Sequence, residues 1–273
     1  MQSTLLIKKI FFLLVAATVL PWSRVAAQGQ RQSIKPFATD GSLHHYRLVW
    51  RDEFDGDKLN AADWDYRTGV RFWSLQQAEN VSVAGGRLRI ALKKEKAGES
   101  EYTSGGVISK RAFKFGYYEA RIKMPRGKGW HTAFWTKQSS EDRNQILDIG
   151  ENDSVNHHAY TTNVLWFSPA SQSQGIRAIQ TPDLSADFHL WGCEFTAATV
   201  TFYFDGKVVD RRDITALPLG EQNIWLTSIA GPQGNTDKVD DSALPAYAEF
   251  DYVRFFEKSA ESKNTIPKSR PQR

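Results

Sequence analysis

The chain has almost no cysteine: Cys193 is the only one among 273 residues. No disulfide can form within it, so folding must rest on a buried core, which this length permits. Long apolar runs are also missing. The longest, Ile10 to Trp22, has 13 residues and is interrupted by Pro21, short of the ~20 that a membrane-spanning helix needs. No glycine-rich phosphate loop and no nucleophile-elbow serine is present. No Cys/His spacing matches a zinc site, and His44-His45 and His157-His158 are adjacent pairs that would point to opposite sides of a strand. A catalytic metal is therefore not expected. No window sustains an amphipathic helix of three turns, and there is no internal repeat or interior linker.

Acidic residues are absent from one end. Residues 1–27 carry Lys8, Lys9 and Arg24 and no acid, and residues 258–273 carry five basic side chains and one acidic. The ends thus hold +3 and +4 of the formal +4, leaving −3 on the body between them. A nucleic-acid footprint on that body is not supported. Lys8 and Lys9, the apolar run and the small-residue pattern Val25-Ala26-Ala27 read as a secretory signal peptide cleaved after Ala27. No cysteine follows the run, so a lipidated Cys at the mature N-terminus is excluded. Residues 28–273 are then expected as an exported protein, secreted or periplasmic, with no membrane contact after cleavage.

What the chain does have is aromatic residues, including nine Trp, and short period-2 segments separated by turn signals. Leu88, Ile90 and Leu92 alternate with Arg87, Arg89 and Ala91 after Gly85-Gly86. Tyr118, Ala120, Ile122 and Met124 alternate with Tyr117, Glu119, Arg121 and Lys123. Val200, Phe202 and Phe204 lead into the hairpin signal Asp205-Gly206, and Phe250, Tyr252 and Arg254 alternate with Asp251, Val253 and Phe255. Many short strands with almost no helix imply an all-β antiparallel sandwich or barrel. Residues 28–45 read as a loose lead-in, residues 46–257 as the domain, and 258–273 as a disordered basic tail. Cys193, inside a strand-like run, reads as a buried small hydrophobe.

The chemically informative run is Gln145-Ile146-Leu147-Asp148-Ile149-Gly150-Glu151-Asn152-Asp153. Two carboxylates three residues apart on a regular strand face opposite sides. A β-bulge adds one residue and returns the second to the first face, and Gly150 suits a bulge. Ile146, Asp148 and Glu151 would then line one wall, and two close carboxylates raise one pKa, as a general acid requires. The same run also suits a solvated strand end with both carboxylates as surface charges.

Several segments, in order, resemble those of glycoside hydrolase family 16. They are Trp50-Arg51-Asp52-Glu53-Phe54-Asp55-Gly56, Asn80-Val81-Ser82-Val83 with Gly86-Arg87-Leu88, and Tyr102-Thr103-Ser104-Gly105-Gly106. Gly116 to Pro125 (GYYEARIKMP), Ala133-Phe134-Trp135, Phe188-His189, Tyr203-Phe204-Asp205-Gly206 and Asp251-Tyr252-Val253-Arg254 complete the set. The resemblance implies a concanavalin-like β-jelly-roll with a glycan cleft on its concave face. It implies a catalytic strand E-x-D-x-x-E of nucleophile, helper and acid/base. Asp148 falls on the helper and Glu151 on the acid/base, whereas the nucleophile position falls on Ile146, which cannot attack an anomeric carbon.

Three readings stay open. Another carboxylate, such as Asp148 or Glu79, could serve, with retention, or inversion at a wider separation; the site could bind glycan without cleaving it; or Ile146 could be a single variant in an enzyme lineage. The resemblance also places Trp135 at a sugar subsite. Trp73, Trp130 and Trp166 flank the expected cleft, with Arg71, Gln76, Asn80 and His131 as hydroxyl partners, while Trp50, Trp64, Trp191 and Trp225 are expected in the core. Glu53 and Asp251 match positions that hold a structural Ca²⁺ in the family; the alternative is that they pair with cations such as Arg254. No cofactor is expected for catalysis. The expected partner is a β-linked polysaccharide, β-glucan or galactan, and a monomer is expected.

Overall fold

The computed structural model describes residues 34–138, 145–167, 172–215, 220–233 and 236–259. The expected signal peptide and most of the basic tail lie outside them. The strands in chain order are β1 (Tyr46–Asp52), β2 (Trp64–Tyr66), β3 (Gly69–Arg71), β4 (Ser74–Gln76), β5 (Val81–Val83), β6 (Leu88–Ala97), β7 (Ser100–Phe113), β8 (Gly116–Lys123), β9 (Trp130–Lys137), β10 (Gln145–Asp153), β11 (Ala159–Trp166), β12 (Gln172–Ser173), β13 (Arg177–Gln180), β14 (His189–Phe195), β15 (Thr199–Phe204), β16 (Lys207–Asp213), β17 (Gln222–Ala230) and β18 (Ala246–Lys258). Among the described residues the only helical elements are two 3₁₀ turns, Ala78–Asn80 and Asp241–Ala243. The all-β expectation holds.

The strands form two layers. In one, β18 pairs with β1 and β6 on one side and β8 on the other, and β14, β15 and β16 follow β8. In the other, β2, β7, β17, β9, β10 and β11 run side by side. The β6–β7 hairpin joins the layers at one side. All pairings are antiparallel except β4 with β7. Period-2 alternation sends one set of side chains between the layers. Leu147 and Ile149 from β10, Phe134 from β9, Trp191 and Cys193 from β14, and Ile122 from β8 share one buried cluster. Cys193 is fully buried, and burial pushes its thiol pKa up.

The first layer is covered on its outer face as well. Tyr117, read as the solvent side of β8, is buried with Tyr46, Tyr203, Phe256 and Leu43 in a second cluster. The cover is residues 34–45, which composition had suggested would be loose. The Phe37 amide donates to Glu119 Oε2 at 3.0 Å, the Thr39 amide donates to the Gly206 carbonyl at 2.8 Å, and Leu43 is 1% exposed. A few apolar residues in a polar segment suffice to dock it, because a row of aromatic rings awaits them on the sheet.

Candidate active site

The outer face of the second layer carries a cleft of about 280 Å³, and β9, β10 and β17 build its floor. On β10 the register slips by one residue against both neighbours. Asp148 faces Asn163 and Glu151 faces Thr161 on β11, while Asp148 faces Trp135 and Gly150 faces Phe134 on β9. The expected bulge therefore exists at Ile149-Gly150. It places Ile146, Asp148 and Glu151 together on the cleft wall. The reason for glycine is steric rather than conformational. A Cβ on Gly150 would stand 2.1 Å from Trp191 Cε3 and 2.4 Å from Cζ3, so the bulge presses the backbone directly onto a core indole.

The two carboxyls sit in different surroundings. Asp148 is 6% exposed and Glu151 is half-buried. Burial, then the charge of Glu151 and a hydrogen bond to it, hold the Asp148 pKa well above the ordinary carboxylate range, against the opposing pull of His131. Asp148 thus holds its proton more tightly than an ordinary carboxyl does. His131 stands between two acids, with Nδ1 2.7 Å from Asp153 Oδ1 and Nε2 3.3 Å from Glu151 Oε1. Burial opposes its charge, but the hydrogen bonds to Asp153 and Glu151 and their negative charges override it and raise its pKa to about 10. Both ring nitrogens then donate, and Glu151 is oriented from behind by an imidazolium.

Aromatic rings form the other end of the cleft. Trp135 and Trp225 are directly opposite across the β9–β17 ladder. Their ring centroids are 4.7 Å apart, and Trp135 Nε1 donates to Thr227 Oγ1 at 3.1 Å. The Arg67 guanidinium lies 5.6 Å from the Trp135 ring and 5.3 Å from the Trp225 ring. Phe72, 59% exposed, closes the rim from the β3–β4 turn, where its φ of +49° is the left-handed conformation that non-glycine residues rarely adopt.

A family profile described as "Glycosyl hydrolases family 16" matches residues 69–229. The chain belongs to this family. It is 27% identical over 244 residues to a β-glucanase of Rhodothermus marinus, covering 78% of this chain and 85% of that protein. It is 28% identical over 226 residues to a β-glucanase of Acetivibrio thermocellus, covering 78% of this chain and 63% of that protein. Among solved structures, the laminarinase of Rhodothermus marinus superposes with a TM-score of 0.69 at 26% identity, covering 79% of this chain and 99% of that one. The fold is the jelly-roll of the family 16 laminarinases.

Within this family 16 scaffold, Trp135, His131, Arg71, Asp148, Glu151 and Ile146 line the cleft as the sequence suggested. Five other residues expected there do not. Trp130 is 2% exposed and packs edge-on against Tyr102. It lies five residues before Trp135 on one strand, so alternation turns it inward. Asn80 is 1% exposed and donates to the Ser104 carbonyl at 3.0 Å. Trp73 packs against the core, because the left-handed turn at Phe72 puts the phenyl ring, not the indole, over the cleft. Trp166 is half-buried beside Leu165, and it is Leu165 that reaches the wall opposite Ile146. Gln76 is likewise interior, donating to the carbonyls of Gly105 and Ser228. Glu79 is exposed and does not line the cleft.

Trp225, expected in the core with Trp50, Trp64 and Trp191, is the exception among them: it is half-buried on the outer face, behind Trp135 and not itself lining the cleft. Arg67, Phe72, Thr227, Ile229 and Gln233 also line the cleft and were not anticipated. Parity along β17 could have placed Thr227 and Ile229 with Trp225. Nothing local marks Arg67.

The pair considered for calcium does not fit the ion. Glu53 is held by both arms of Arg254 at 2.8 Å, and Asp251 accepts from Arg121 at 2.7 Å. Among the described residues no cluster of three or more His, Cys, Asp or Glu side chains is placed to hold a metal. Hard oxygen ligands would have to be taken from guanidinium partners.

Proposed function

We propose that this family 16 protein binds a β-linked polysaccharide, β-glucan or galactan, in the β9–β10–β17 cleft and acts on its O-glycosidic bonds, with Glu151 as proton donor and Asp148 as its electrostatic helper. The observation that carries this reading is the bulge at Ile149-Gly150, which sets both carboxyls in a cleft that Trp135 also lines. Sugar rings offer apolar C–H faces that stack on such rings, while their hydroxyls need polar partners such as Thr227 and Gln233. The β-glucanases to which the chain is similar act in the same sense. The N-terminal basic-apolar-small pattern supports export to a periplasm or the medium.

Chemistry at this wall needs two carboxyl groups. Asp148 and Glu151 are the only ones lining the cleft among the described residues, so Asp148 is the remaining candidate partner for Glu151. Ile146 supports a second reading. Its branched alkyl side chain occupies the wall position two residues before Asp148, where the family pattern places the nucleophile, and loss of that group ordinarily removes most of the rate. The second reading is a glycan-binding module that does not cleave.

Reducing-sugar release from a panel of β-glucans and galactans decides between them, measured for the wild type, Glu151→Gln and Ile146→Glu. Release by the wild type that is lost in Glu151→Gln supports the enzyme. Binding without release, with release gained in Ile146→Glu, supports the silent module. Release that survives Glu151→Gln refutes the role given to Glu151.

A further inference from the structure

The charge inside the cleft is opposite to that of the body around it. Residues 28–257 carry a formal −3, yet Arg67, Arg71 and His131 all line the cleft, against two carboxyls, Asp148 and Glu151, among the described lining residues. Neither Arg67 nor Arg71 forms an ion pair with any described carboxylate; the closest polar partner of Arg71 is the neighbouring Val70 carbonyl, 2.8 Å from Nη1. Eight of the thirteen described arginines are ion-paired, as Arg47 is with Glu257 and the half-buried Arg254 with Glu53. Arg67 is partly buried over two indole rings, and its Nε–H is enclosed without an acceptor. Burial, then repulsion from Arg71, pushes its pKa down to about 10. Gln233, on the same wall, has an enclosed Oε1 that receives no hydrogen bond. Lys137 Nζ stands 5.8 Å from the Trp225 ring and adds charge at that end.

Neutral sugar hydroxyls satisfy guanidinium donors but leave both positive charges uncompensated. Two guanidinium groups held close together, one desolvated and lacking an acceptor, are stabilised by an anion with several oxygen atoms, which the guanidinium fork matches bidentately. In a cleft lined by Trp135, such an anion would be a substituent on a sugar that rests against that ring. We propose that Arg67 and Arg71 form a subsite for an anionic substituent, a sulfate ester or a carboxylate, on the polysaccharide bound in the cleft. The inference rests on the glycan-cleft reading and narrows it to a charged polymer. Gln233 Oε1 accepts a hydrogen bond from a hydroxyl of the same sugar.

The full chain is titrated calorimetrically with two matched pairs of oligosaccharides. One pair is a sulfated galactan and its solvolytically desulfated form, and the other is a β-linked polyuronate and its carboxyl-reduced form. Arg67→Gln and Arg71→Gln test the subsite, and Arg126→Gln, at an exposed arginine outside the cleft, controls for unspecific attraction. Thermal melting checks that each variant folds, and the exposed Arg71 provides a variant with little packing to lose. The expected result is at least ten-fold tighter binding of the charged member of one pair. That preference should fall at least ten-fold in both cleft variants and persist in Arg126→Gln; the pair that shows it distinguishes sulfate from carboxylate. Equal binding of charged and neutral members overturns the inference and leaves the glycan cleft standing, as does a preference unaffected by the cleft variants. Binding of neither pair, nor of neutral β-glucan, overturns both.

Discussion

Gly150→Ala tests the contact that creates the site. The added methyl would lie 2.1 and 2.4 Å from two atoms of the Trp191 ring, well inside van der Waals contact. Trp191 is fully buried, with Tyr160 at 4.3 Å and Phe204 at 5.4 Å between ring centroids, so the ring has no free space to enter. Overpacking a filled core costs roughly 1–3 kcal/mol, and an overlap this deep against a pinned ring belongs near ~3 kcal/mol. In a domain of this size each 1 kcal/mol lowers the melting temperature by about 2–4 °C, so a fall of about 6–12 °C is expected by calorimetry or circular dichroism. A double-mutant cycle isolates the cause. Trp191→Leu removes the ring atoms that clash, so the double variant should be less damaged than the two single losses summed, with a coupling of about 1–3 kcal/mol. Glycan binding by Gly150→Ala should also weaken below its melting point, because relief of the clash turns Glu151 off the wall. A melting temperature within about 2 °C of the wild type, or strictly additive losses, would refute the account of why the bulge carries glycine.

Asp148→Asn should stabilise the protein increasingly as pH rises. The folded protein keeps on Asp148 a proton that the unfolded chain releases near its usual pKa of 3.8. Stability held through that proton is therefore full below about pH 4 and is lost as pH rises through the higher folded value. Asparagine is neutral throughout, so the melting temperatures of variant and wild type should converge near pH 4 and separate, variant higher, toward pH 8; a gap that stays constant with pH would refute this. Leu43→Ala removes a side chain that is 1% exposed among Tyr46, Tyr117, Tyr203 and Phe256. A loss of about 2–3 kcal/mol is expected in chemical denaturation, and a loss under about 0.5 kcal/mol would mean that the segment is not docked as described.

The strand pattern and the bulge were legible because both depend on local rules. Alternation of apolar and polar residues marks β6, β8, β15 and β18, and the three-position step from Asp148 to Glu151 leaves one surplus residue to absorb. Which tryptophans face the cleft was less legible. Trp130 was misplaced although its odd spacing from Trp135 settles its side. Trp225 was misplaced for a different reason: its partner, Trp135, is 90 residues earlier in the chain and meets it only through the β9–β17 register. The position of Arg67 depends on two such rings at once, so no local pattern reports it. The covered outer face of β8 was missed for a related reason. Tyr117 and Glu119 look like a solvent-facing row until the distant residues Phe37 and Leu43 are laid over them.

The placement of β18 has a consequence for how the polypeptide reaches this state. Three strands from separate parts of the chain, β1, β6 and β8, all find their hydrogen-bonding neighbour in this last strand. During synthesis each of them waits with an open edge until the final quarter has been made, and such distant pairings close slowly. A stop codon only a dozen residues before the end of β18 would strip all three at once, so nonsense changes there should behave as null alleles even though every cleft residue is still encoded.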